Sequence, residues 1–119
     1  IFELFRGGSG PVLQQDSAAD LVAADVWVRA GSGYETPANN GVSHLIEHLV
    51  FAATGTRQPG DVDREMESVG ATLSAHTSHD WAHFATTVSS RHLSKALDVL
   101  ADVVSSAQFR QVDIERERP

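Results

Sequence analysis

A chain of 119 residues is one modest domain with enough length to bury a core, and 41% hydrophobic with 21% charged residues is ordinary for a globular protein. Its net charge of -7 argues against a nucleic-acid partner, which calls for a basic stripe, and weakly against strongly acidic substrates. With no cysteine, disulfide scaffolds, thiolate metal sites and cysteine nucleophiles are excluded, and the redox compartment stays undetermined.

Ile1 to Phe5 alternates apolar and acidic in the manner of an edge strand. The chain opens on Ile1 rather than Met, with nothing there like a signal peptide, so an upstream portion is expected to have been removed or left out. Gly7 to Pro11 is a turn cluster, and Val12 to Gln15 reads as the returning strand of a first hairpin. Leu21 to Ala30 is the clearest strand: Val22, Ala24, Val26 and Val28 alternate with Ala23, Asp25, Trp27 and Arg29. One face is expected to enter the core, and the other to carry a helix over Trp27. A loop dense in Pro, Asn and Gly leads to a first helix over Val42 to Ala53, with Asn39 or Asn40 as its cap. Pro59-Gly60-Asp61 starts a second helix, with Val62, Met66 and Val69 on one stripe and Gly70 as its stop.

Ala71 to Thr77 and Trp81 to Ser89 form a second hairpin across Ser78-His79-Asp80. A third helix over Arg91 to Ser105, capped by Ser89 or Ser90, places Leu93, Ala96, Leu97, Leu100 and Val104 at core spacing. Phe109 is expected to plug the core, and Val112 opens another helix. No apolar run approaches the length of a membrane span. The elements predict an α+β fold: a mostly antiparallel sheet with helices packed on one face.

The first helix carries the chemistry. In Gly41-Val42-Ser43-His44-Leu45-Ile46-Glu47-His48-Leu49-Val50-Phe51, His48 lies roughly 40° round from His44, with Glu47 roughly 60° to the other side. Leu45, Ile46, Leu49 and Val50 occupy the rest of the circumference, so three polar groups stand on a helix that otherwise reads as buried. A zinc ion accounts for all three: two imidazoles grip it, and the carboxylate takes a proton from water beside it. His-x-x-Glu-His is the inverted zincin pattern. The plain alternative is a helix whose polar residues face solvent or satisfy one another. His76, His79 and His83 imitate a second metal cluster, but successive strand positions face opposite ways, so they are read as solvated or hydrogen-bonded. His92 is read as surface, and Glu65 and Glu67 as a solvated helix face.

The flanks of that helix carry a resemblance. Val26-Trp27-Val28-Arg29-Ala30-Gly31-Ser32-Gly33-Tyr34-Glu35-Thr36-Pro37, then Asn40-Gly41 and the His-Leu-Ile-Glu-His core, resembles the pitrilysin-type (M16) zinc peptidases. So do Glu67-Ser68-Val69-Gly70-Ala71, Ala75-His76-Thr77 and the closing Glu115-Arg116-Glu117-Arg118, and the similarity runs over essentially all of residues 1–119. The resemblance implies the N-terminal part of one M16-type metallohydrolase domain, an incomplete half. It implies a zinc endopeptidase in which His44 and His48 bind Zn2+ and Glu47 is the general base. The third zinc ligand is then a Glu beyond Pro119, and Glu117 supports the site from behind the ligands.

The strand of Ser74 and Ala75 matches the family's sheet edge, which pairs with the substrate backbone. From the residues alone it is simply a structural strand, and many relatives have Asn where Ser74 stands. Phe51 walls the pocket beyond the scissile bond or packs in the core. The implied partners are a peptide substrate, the rest of the domain and a second homologous half. The rival reading is a non-catalytic homologue serving as a structural or partner subunit. With two of three ligands, the 119 residues alone are not expected to hydrolyse peptides.

Overall fold

A computed structural model of the chain describes residues 2–4 and 12–117. The turn expected at Gly7 to Pro11 and the chain end at Arg118 and Pro119 lie outside the described residues, as does any ligand position further on. Strands β1 (Phe2–Leu4) and β2 (Val12–Gln14) pair antiparallel, with Phe2 opposite Gln14. Strands β3 (Leu21–Val28), β4 (Thr72–Thr77) and β5 (Ala82–Ser89) form an antiparallel sheet in the order β3-β5-β4. Four α-helices follow: α1 (Val42–Leu49), α2 (Asp61–Ser68), α3 (Leu93–Ser106) and α4 (Gln111–Glu117).

Alternation sorts the sheet into two faces. Phe84, Thr86 and Val88 of β5 are buried against Ala96, Val99, Leu100 and Val103 of α3, and Val62 and Met66 of α2 join the same cluster. Fully burying each Phe, Val, Leu or Met side chain among these is worth about 1.5–3 kcal/mol. Helices thus cover one face of the sheet, and the expected α+β layer is what forms. Gly70 stops α2 in the left-handed conformation, φ 64°, with its N–H and that of Ala71 turned back to Glu67 and Met66.

Five expectations need correction. Among the described residues no helix covers Trp27; it is 61% exposed and stacks on His83, ring centroids 4.1 Å apart, while His83 Nε2 lies 2.8 Å from Asp25 Oδ1. On α3 the buried stripe runs through Val99 and Val103, and Leu97 faces solvent. Phe109 is also exposed, so it plugs nothing. Glu65 is more than solvated surface: with Asp98 and Asp102 it holds Arg57, whose guanidinium reaches them at 3.1, 2.6 and 2.7 Å. Neither Ser89 nor Ser90 caps α3, which a short 3-10 turn, Ser90–His92, leads into instead.

Candidate active site

Helix α1 is shorter than the sequence predicts and less buried, with only Leu49 enclosed. Its N-terminal flank is Gly41, at φ 89°, a left-handed conformation that favours glycine. Neither Asn39 nor Asn40 caps it. The Asn39 carboxamide oxygen instead accepts the N–H of Thr36 at 2.6 Å. The N–H of Val42 bonds the backbone carbonyl of Asn39 at 3.1 Å, and Glu35 takes the amides on either side of it: Oε2 that of Gly41 at 2.7 Å and Oε1 that of Ser43 at 2.8 Å. These bonds to charge hold the Glu35 carboxyl below the usual carboxylate range.

One helical turn brings the two imidazoles together. The Nε2 atoms of His44 and His48 are 3.1 Å apart, with the rings edge to face at 4.6 Å. Two nitrogens on one tetrahedral zinc, each at about 2.0–2.1 Å, stand roughly 3.3 Å from each other, so the pair fits a shared cation. The His44 side chain is 73% exposed and that of Glu47 21%, which corrects the expectation of polar groups enclosed on a buried helix. Glu47 Oε2 sits 3.9 Å from His44 Nδ1 and accepts the backbone N–H of Thr77 at 2.7 Å. On the far side, Glu117 Oε2 lies 3.3 Å from Nδ1 of His48, the ring nitrogen turned away from His44. Among the described residues no cluster of three or more His, Asp or Glu side chains is placed to hold a metal.

The edge strand meets this helix. Ser78 donates to the carbonyl of Trp81 at 2.8 Å, and antiparallel alternation then assigns His76, Ser74 and Thr72 to the bonds with β5. The N–H and C=O groups of Leu73, Ala75 and Thr77 turn to the other edge, which no strand among the described residues covers. Thr77 gives its N–H to Glu47 there. Ala75 therefore has backbone groups free on the edge, whereas those of Ser74 are engaged with β5 and only its side chain is exposed. Beside His44 and His48 lies an open hollow of about 580 Å³, reached also by Asn39, Asn40, Val42 and Glu117. Phe51 is not among its walls; it packs, partly buried, against the core. Sequence reasoning missed Glu35 and the Thr77 amide, and of these only Glu35, a carboxylate shortly before a helix, left a side-chain signal.

The family model described as insulinase (peptidase family M16) matches residues 11–119, and the chain belongs to that family. It is 36% identical over 107 residues to the human mitochondrial-processing peptidase subunit beta, covering 90% of this chain and 22% of that protein. Mouse cytochrome b-c1 complex subunit 1 is 35% identical over the same share of each. Among solved structures, a protease from Helicobacter pylori superposes with a TM-score of 0.75 at 26% identity, over 80% of this chain and 23% of that one. The chain therefore spans about a fifth of the length of the curated relatives it matches. Among the described residues, no helix is long and apolar enough to cross a membrane.

Proposed function

We propose that the protein carrying this chain is a zinc-dependent endopeptidase, with His44 and His48 as metal ligands and Glu47 as general base. The observation that supports this most is the convergence of two Nε2 atoms, 3.1 Å apart, beside a carboxylate anchored to an open strand edge. When bound, zinc lowers the pKa of water and polarises the scissile carbonyl. The third protein ligand comes from residues beyond Pro119, and Glu117, behind His48, fixes that ring's tautomer and direction.

Peptide enters as an added strand. The free N–H and C=O groups of Ala75 and Leu73 pair with an extended backbone, which brings a scissile bond alongside α1. Glu47, with one oxygen held by Thr77, accepts the proton of the attacking water and passes it to the departing amine. A second homologous half, in the same chain or a partner subunit, encloses the peptide. The test is hydrolysis of a quenched peptide by the full-length, zinc-loaded protein. Glu47→Gln is expected to keep zinc and lower turnover by about 10²–10⁴-fold. Hydrolysis retained in that variant removes Glu47 from its role.

A second reading is a subunit that does no chemistry. The likeness to a cytochrome b-c1 complex subunit favours it, and the intact His44, Glu47 and His48 weigh against it. A full-length protein that neither binds zinc nor cleaves any peptide supports that reading.

A further inference from the structure

Helix α1 begins without a conventional start. Gly41 offers no side-chain cap, and the first turn holds no acidic residue. The first amides of a helix still need acceptors, and eight residues is too short for a helix to hold itself. The amide of Val42 goes to the carbonyl of Asn39, and those on either side of it, Gly41 and Ser43, go to the two oxygens of Glu35, six and eight residues back along the chain.

Glu35 is itself fixed to the sheet. The turn before it, Ser32–Tyr34, donates from Ser32 and Gly33 to the carbonyls of Ser78 and His79 at 3.1 and 2.7 Å. That close approach leaves no room for a side chain at Gly31, where a Cβ would collide with those same carbonyls. Ser78 directly follows β4, whose last residue, Thr77, holds Glu47. Glu35 thus ties the strand edge to the first turn of the helix that carries both imidazoles, and its second bond ends one residue before His44.

We propose that Glu35 is a positioning residue: its two-pronged grip on the Gly41 and Ser43 amides sets the rotation of the first turn of α1, and with it the aim of His44 at His48. The consequence for metal rests on the reading of His44 and His48 as ligands; the grip on the helix does not. A negative charge at the helix start adds to the hold. Gln in place of Glu35 keeps one acceptor but turns an N–H2 toward the second amide, so it retains half the grip.

The experiment compares full-length wild type, Glu35→Gln and Glu35→Ala by residue-resolved amide hydrogen exchange and by zinc affinity against a competing chelator. Glu35→Ala is expected to speed exchange at Ser43 and His44 while leaving Val99 and Val103 in α3 unchanged. It should weaken zinc binding roughly 10-fold or more, as loss of a supporting partner does, with Glu35→Gln in between. Unchanged exchange at Ser43 overturns the proposal, as does a loss of protection spread equally into α3. Wild type that binds no zinc sinks the metal reading alone, and exchange at Ser43 still decides for or against the grip of Glu35.

Discussion

At the scale of single residues, Asp102 sits at the centre of a dense set of hydrogen bonds. It accepts from Ser106, from Thr54 at 2.5 Å, from Thr56 at 3.1 Å and from Arg57 at 2.7 Å. The two hydroxyls of Ser106 and Thr54, then the guanidinium, hold its carboxyl well below the usual carboxylate range. A carboxylate with a lowered folded-state pKa contributes stability that is present above its unfolded value, near 3.8, and is lost as pH falls through the folded one. Urea unfolding of the full-length protein should therefore show stability declining below about pH 4, and Asp102→Asn should flatten that decline. An unchanged slope in the variant contradicts the assignment. His44, Glu47 and His48 were legible in the sequence because one helical turn fixes their neighbourhood. Glu35 and the Thr77 amide were not, since one acts on backbone donors and the other is a backbone donor 30 residues from its partner.

Among the elements, β4 makes the sharpest distinction. Its odd-numbered residues face the free edge with their backbone groups, and its even-numbered ones bond β5. Proline is tolerated where an edge strand turns its N–H outward and is disruptive where a ladder bond is lost. Ala75→Pro should fold and bind zinc as wild type does, yet lose about 10-fold or more in kcat/KM on peptides, the equivalent of one hydrogen bond. His76→Pro should unfold at lower denaturant, because it removes a bond to β5 and leaves its acceptor unpaired, a cost of about 1–3 kcal/mol. Equal kinetics in Ala75→Pro would remove strand addition from the account. The existence of β4, β5 and α3 could be read from period alone, but the buried stripe of α3 could not. Leu93, Ala96, Leu97, Leu100 and Val104 satisfy helical spacing as well as Ala96, Val99, Leu100 and Val103 do. The choice is made by the sheet, where Phe84 and Val88 present the surface that α3 must cover.

For the whole molecule, the layered α+β arrangement followed from the order of elements, and membership of the M16 family followed from motifs spread along nearly all the chain. What did not follow was how much of each surface stays open. Trp27 was expected under a helix, but its face of the strand also carries Asp25 and Arg29, and among the described residues that side of the sheet is uncovered, with Trp27 beside His83 and Asp25. The charge of -7 bears on partners and says nothing about where a site lies. All of the proposed chemistry requires His44 and His48 to converge on one cation. Anomalous diffraction at the zinc edge from crystals of the full-length protein tests it directly. The prediction is a single peak about 2.0–2.1 Å from both Nε2 atoms, with a further protein ligand from beyond Pro119. A zinc-equilibrated crystal with no peak there, or with a metal held by only one of the two imidazoles, contradicts it.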